Sequence, residues 1–416
     1  MNDDDRPRWC CATSTFRFFA TEIYLSDGSP EEMLFVLVLL RAALASAVGE
    51  NCAWCEGGND SCNSSYASMS MDLFRTSITD AVGGRRFPLW RPAYQAPFGS
   101  SPSAATLAIL VHHGALRNGD AYASHVVNAV LATGRDPASV LVFAPQIFEA
   151  GDAGLDEATM LWWGASADDG VEPDRGERDW HWGGNSTAEL GASLSSFSVL
   201  DEIIEALEAA HPALERVVVA GHSAGGQIAM RYALFSRLET RLAVEYFVAN
   251  PSSVTYLNAS RPALPPQRCC DNATIASTSY AFAAPGGRCA AYDAYGYGLA
   301  GPLPDYAAAT GAARAIDAYG RRTVVYVSGA ADVCDARYAA RARCAACVVD
   351  DGGLDTSCEA YAQGWCRMER LHAFAQFVTA FYGGDVHALV SVPDVGHSGC
   401  GIFQSREFAR AARLLG

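Results

Sequence analysis

The sequence is short of charge, and of positive charge above all. Only 18% of its 416 residues are charged, and 30 basic against 46 acidic residues leave a formal net charge of −16. No basic stripe offsets this excess, which argues against nucleic acid or an anionic membrane surface as a partner. Long uninterrupted hydrophobic runs are also missing. The most apolar stretch, residues 33–49, is broken by Arg41 and makes a poor membrane anchor. No internal repeat is present. What remains, 50% hydrophobic residues in a chain of this length, is the composition of a globular protein with a large core.

The stretch from Met33 reads as a secretory signal at residues 33–47, with an anchor as the alternative. A short apolar segment is followed by Ala45-Ser46-Ala47, a small-x-small cleavage pattern. The residues before it (Asp27, Glu31, Glu32) are acidic where a basic leader is expected. Translation from Met33 resolves this and makes residues 1–32 an extension outside the folded protein. Cysteine usage points the same way. Of the 14 cysteines, Cys10 and Cys11 precede the signal. After it come Cys52, Cys55, Cys62, Cys269, Cys270, Cys289, Cys334, Cys344, Cys347, Cys358, Cys366 and Cys400, an even set that predicts a disulfide framework without fixing its pairing. Zinc is the rival reading, since Cys52-x-x-Cys55 and Cys344-x-x-Cys347 have ligand spacing. Sequons at Asn59, Asn63, Asn185, Asn258 and Asn272 complete the expectation of a secreted or lumenal glycoprotein.

The most informative local pattern is Gly221-His222-Ser223-Ala224-Gly225-Gly226, directly after the apolar run Val217-Val218-Val219-Ala220. Gly-x-Ser-x-Gly alone is a weak signal in a glycine-rich chain; a strand before it and a helix after it make it strong. Both are predicted here, because Gln227–Leu234 continues with helical apolar spacing. Such a turn is too tight for side chains two residues either side of the serine. It presents Ser223 at a helix N-terminus, where developing negative charge is favoured.

A serine hydroxyl needs a base and an acid to orient that base. Around the elbow the chain alternates predicted strands (106–113, 140–144, 242–248, 323–327, 388–392) with predicted helices (119–131, 196–210, 306–319, 361–381, 407–415). This alternation implies a parallel sheet covered on both faces, with its site beyond the C-terminal strand ends. The base is assigned to His397, in a glycine-flanked loop after the last strand. The acid is assigned to Asp332, after the strand Val324–Val327; Asp335 is second and Asp394 third. Two backbone N–H groups should hold the oxyanion. They are assigned to Ala224 and to Ala115, with Leu116 as an alternative to Ala115, where Gly114 lets the chain turn inward. His113 is read as a structural turn residue.

With these residues in this order, residues 87–416 resemble an α/β-hydrolase-fold serine hydrolase of the esterase and lipase type. The chain is more closely similar to a group of secreted-type hydrolases of microbes and algae. That likeness is carried by His113-Gly114-Ala115-Leu116-Arg117-Asn118, Ala144-Pro145-Gln146, Gly221–Gln227 with Arg231-Tyr232, Asn250-Pro251-Ser252-Ser253, Tyr295–Leu299 and Cys358 through Gln363-Gly364 to Arg370. It implies an eight-stranded, mostly parallel sheet and hydrolysis through an acyl-enzyme. The cysteine-rich insert Cys334–Cys366 departs from the pattern and bears on the choice between Asp332 and Asp335.

The domain reading is therefore an extension (1–32), a signal (33–47), a cysteine-rich segment (48–86) and a catalytic domain (87–416). Two irregular stretches remain. Trp162, Trp163, Trp180 and Trp182 in residues 147–195 are expected either to line a cleft or to pin a loop to the core. Tyr256, Tyr292, Tyr295 and Tyr297 pose the same choice. The expected function is a secreted carboxylic-ester hydrolase acting on a small or polymeric ester, with no metal or organic cofactor and no stable membrane insertion. A peptidase or amidase on the same fold, or a non-catalytic extracellular binding module, are the alternatives.

Overall fold

The computed structural model describes residues 68–78, 84–100, 103–164, 179–187, 193–264, 271–287, 289–333 and 354–415. The signal at 33–47, both zinc-spaced cysteine pairs and Asp335 lie outside the described residues.

Eight strands build one sheet: β1 (Met69–Arg75), β2 (Arg86–Pro92), β3 (Leu107–His112), β4 (Val140–Pro145), β5 (Arg216–His222), β6 (Ala243–Ala249), β7 (Thr323–Gly329) and β8 (Ala388–Val392). Their order across the sheet is β1-β2-β4-β3-β5-β6-β7-β8. Neighbours from β4 to β8 pair in parallel, while β2 runs antiparallel to both β1 and β4. With helices on both faces, this is the α/β-hydrolase fold.

The apolar runs of the central strands are continuous because both of their faces are covered. Val217 and Val219 of β5 join one core cluster together with Leu110, Tyr246, Val248 and Tyr326. That cluster is closed by α2 (Ser196–Ala210), α3 (Ala224–Phe235) and α4 (Arg367–Tyr382). Val218 and Ala220 belong to the cluster on the opposite face, with Ile109, Val111, Phe247 and Val327. There the cover is α1 (Gly119–Ala132), α5 (Gly399–Phe403) and α6 (Arg406–Ala411). At about 1.5–3 kcal/mol per fully buried large apolar side chain, this two-sided burial is what fixes the middle of the sheet.

Three features differ from the sequence reading. The sheet starts at Met69, before the boundary at residue 87, because the edge strand β1, antiparallel to β2, is half-exposed and carries little hydrophobic signal. The helix expected over 306–319 is two, Asp305–Thr310 and Ala312–Tyr319, parted by Gly311 in a left-handed conformation (φ 77°). The helix expected over 361–381 likewise separates into Cys358–Tyr361 and Arg367–Tyr382, with Gly364 at φ 153° between them.

The irregular stretches are pinned, and arginine does much of the pinning. The sequence contains no lysine, so every cation is a guanidinium, whose fixed fork of donors suits several carbonyls at once. Arg231, fully buried on α3, donates to Gln227 Oε1, Ser253 Oγ and the Gly296 carbonyl, with its guanidinium 5.4 Å from the Trp182 ring. Arg261 gathers the carbonyls of Asn258, Ser260, Tyr292 and Tyr297. Arg370 takes those of Gly364, Ser252 and Asp355. Trp163, Trp180, Trp182, Tyr256, Tyr295 and Tyr297 are all buried, leaving Trp162 and Tyr292 part-exposed. Of the two roles open to these aromatics, six of the eight take the pinning one. A disulfide, Cys289–Cys358, ties the stretch from Cys289 to the segment before α4, and Cys366 and Cys400 are disulfide-bonded as well.

Candidate active site

Four turns meet at the C-terminal ends of β3, β5, β7 and β8. The turn after β5 carries Ser223 in a backbone conformation rare for a side-chain-bearing residue (φ 59°, ψ −122°), a strain of order 1–3 kcal/mol that the surrounding structure must hold. The glycines show how. A Cβ on Gly221 would lie 2.0 Å from the Gly225 carbonyl oxygen, and one on Gly225 would lie 2.5 Å from those of His112 and His113. The elbow therefore closes on itself and on the end of β3 at once. Ser223 N–H donates to the Ala249 carbonyl of β6 (3.0 Å).

Ser223, His397 and Asp332 form one hydrogen-bonded line. His397 Nε2 is 3.0 Å from Ser223 Oγ, and His397 Nδ1 is 2.9 Å from Asp332 Oδ2. A carboxylate only accepts, so Nδ1 carries the proton and the Nε2 lone pair faces the serine hydroxyl. Burial, then the Arg367 guanidinium, holds His397 well below its ordinary pKa. Burial also pushes Asp332 up, against the pull of Arg367 and others. The imidazole is thus neutral at neutral pH, the state a base requires. Asp394 stands apart as an exposed turn residue with φ 57°.

The turns that carry Asp332 and His397 are sewn together. Ala331 N–H donates to the Val395 carbonyl, and Ala330 N–H to that of Val392. Asn250, at the end of β6, accepts from Gly329 N–H (2.8 Å) and donates to the Gly396 carbonyl (3.2 Å), next to His397. No role was assigned to Asn250 from the sequence, although the motif Asn250-Pro251-Ser252-Ser253 had marked it.

The turn after β3 lies against Ser223. A Cβ on Gly114 would meet Ser223 Cβ at 3.4 Å. His113 is fully buried, with Nδ1 2.9 Å from the Gly114 carbonyl and Nε2 accepting from Ile147 N–H at 3.0 Å. It is therefore the neutral Nδ1–H tautomer, and burial lowers its pKa to about 4. The Gly114 carbonyl also accepts from Arg117 N–H. In a planar trans peptide the N–H points opposite to the C=O, so these bonds turn the Ala115 N–H away from His113. Ala224 N–H belongs to the first turn of α3, where no intrahelical acceptor exists. Arg117, at φ 52°, braces the turn by reaching Ala115 O, Glu149 and both oxygens of Asp152. Gln146 joins it to α1 through Arg117 O and Gly119 N–H.

Beneath the site, the His222 ring lies 4.4 Å from that of His397, and its Nδ1 is 3.0 Å from the Tyr122 hydroxyl. The group of potential metal ligands among the described residues, Cys289, Cys358 and Glu359, contains the disulfide itself. No helix among the described residues is long and apolar enough to cross a membrane.

The sequence matches no family model and no curated protein. Among solved structures it is similar to LpqC, a poly(3-hydroxybutyrate) depolymerase from Bordetella parapertussis, at 17% identity over 84% of this chain and 94% of that one (TM-score 0.46). It is also similar to poly(aspartic acid) hydrolase-1 from Sphingomonas sp. KT-1, at 19% identity over 81% and 96% (TM-score 0.48). A third is the Pyrococcus furiosus esterase Pf2001, at 12% identity over 86% and 96% (TM-score 0.37). The fold is read from the strand order and the elbow.

Proposed function

We propose that this protein is a secreted serine hydrolase that cleaves carboxylic esters through Ser223, His397 and Asp332. The observation that carries the reading is the continuous line from Ser223 Oγ to Asp332 Oδ2 beside the Gly114 turn. Ser223 Oγ attacks the ester carbonyl carbon while His397 Nε2 takes its proton. Asp332 offsets the charge of the resulting imidazolium. The N–H groups of Ala224 and Ala115 stabilise the tetrahedral oxyanion. Collapse breaks the C–O bond, and the imidazolium returns its proton to the departing alkoxide. Water, activated by the same imidazole, then cleaves the acyl-enzyme to the free acid. Esters rank above amides because an alkoxide asks less of the general acid than an amine does.

Export is part of the proposal, supported by the signal-like residues 33–47, the Cys289–Cys358 disulfide and exposed sequon asparagines at Asn258 and Asn272.

The test is labelling of the glycosylated, disulfide-intact chain by a fluorophosphonate probe, alongside p-nitrophenyl esters of increasing acyl length and matching p-nitroanilides. Labelling lost in Ser223→Ala, with ester turnover exceeding anilide turnover, is the expected result. An unlabelled wild-type chain that is well folded refutes the reading and favours the binding module.

A further inference from the structure

The triad acid is touched by a second group for which a Ser-His-Asp line has no need. Arg367, the first residue of α4, has a side chain with no solvent exposure, and its Nη1 lies 3.7 Å from Asp332 Oδ1. The backbone adds a clamp between the same segments, since Met368 N–H donates to the Asp332 carbonyl (3.1 Å). The carboxylate is thus divided, with Oδ2 toward His397 and Oδ1 toward the guanidinium.

Building on the hydrolase reading, we propose that Arg367 is a positioning residue of the triad. Its buried guanidinium holds one carboxylate oxygen of Asp332, leaves the other to His397, and keeps the pair from taking up an extra proton as the medium becomes acidic.

The charges around the pair support this. His397 faces Asp332 from the turn after β8, His222 from the end of β5 and Arg367 from α4. Arg370 acts on Asp332 from one turn further along α4, and His125 on His222 from α1. His222 is itself held neutral, chiefly by burial. Asp332 is the negative group in this set, and Arg367 is the fixed cation nearest to it. A proton arriving on the pair, on either partner, meets the field of that cation where both Arg367 and Asp332 are buried and solvent screens weakly. Burial of the imidazole acts in the same direction.

The experiment compares wild type, Arg367→Met and Arg367→Lys in the full glycosylated chain. It follows kcat and KM for p-nitrophenyl acetate against pH, with rates normalised to sites labelled by the fluorophosphonate. Without the guanidinium the pair protonates more readily, so the acid limb of kcat/KM moves up by roughly one pH unit in Arg367→Met, the effect of one close charge. KM at the optimum stays unchanged, and Arg367→Lys, which restores the charge, returns most of the shift. An acid limb unmoved per labelled site overturns the proposal, whatever happens to yield or thermal stability. The pair Asp332→Asn and Asp332→Asn/Arg367→Met provides a second test, in which the carboxylate charge is absent from both variants. The double variant should be several-fold more active than Asp332→Asn, because its imidazolium no longer forms beside the guanidinium; equal or lower activity refutes the inference. Failure of the wild type to label refutes the hydrolase reading instead, so the two failures are told apart.

Discussion

Replacing His113 by Phe separates the support of the Gly114–Ala115 turn, the proposed oxyanion site, from the packing of the ring. Phenylalanine keeps an aromatic body edge-on to Trp180, whose ring lies 5.2 Å from that of His113. It removes both hydrogen bonds, to the Gly114 carbonyl and from Ile147 N–H. The Gly114 carbonyl retains Arg117 N–H as a donor, so that loss costs about 0.5–1.5 kcal/mol. Ile147 N–H is left without its buried acceptor, at about 1–3 kcal/mol. A stability loss of about 2–4 kcal/mol follows, read by urea unfolding of the purified chain. The catalytic effect is distinct. With one of its two carbonyl bonds gone, the Gly114–Ala115 peptide is held less firmly, and a misplaced oxyanion donor costs up to roughly 10²-fold in kcat. Steady-state turnover of p-nitrophenyl acetate per fluorophosphonate-labelled site measures that term alone. A variant that is destabilised as expected but turns over at the wild-type rate per site would show that His113 does not aim the Ala115 N–H.

Buried histidines predict how stability depends on pH. His112 and His113 are fully buried, and burial lowers them to about 3 and about 4 from 6.5. The unfolded chain therefore binds more protons than the folded one below pH 6.5, so stability is full above that value and is lost as pH falls toward 4. Neither ring nitrogen of His112 has a hydrogen-bond partner among the described residues, so His112→Leu should flatten the fall in Tm between pH 6.5 and 4; an unchanged slope counts against the linkage. Gly225→Ala places a methyl 2.5 Å from two carbonyl oxygens, and should abolish fluorophosphonate labelling and lower Tm, whereas Gly134→Ala, open to solvent but at φ 71°, should cost only about 1 kcal/mol. The Cys289–Cys358 disulfide closes a separation of 69 residues, and its removal in Cys289→Ser/Cys358→Ser should cost about 2–4 kcal/mol by denaturant unfolding. No change in midpoint would mean that the buried arginines hold those segments without it.

The central strands and the elbow were legible in the sequence because their information is local. A run such as Val217–Ala220 can only be a strand buried on both faces, and Gly221 and Gly225 are required by contacts within a few residues of the serine and with the neighbouring strand end. Chain order did the rest for Asp332 and His397, since each follows a strand of the same parallel sheet and so emerges at the same end. What sequence could not provide was anything made by two distant segments meeting. Arg367 lies next to Asp332 only because the Met368 N–H and Asp332 carbonyl join α4 to the turn after β7. Asn250 serves the His397 loop only because β6 and β7 are neighbours. The roles of His113 and of the buried arginines depend on which carbonyls surround them, a matter of tertiary packing that leaves no periodic trace along the chain. Hydrophobic pattern and turn chemistry thus determined the frame and the elbow that carries Ser223. The tertiary structure alone decided which polar groups hold His397 and Asp332 in place beside it, because a hydrogen bond between distant segments is specified by geometry that no local stretch contains.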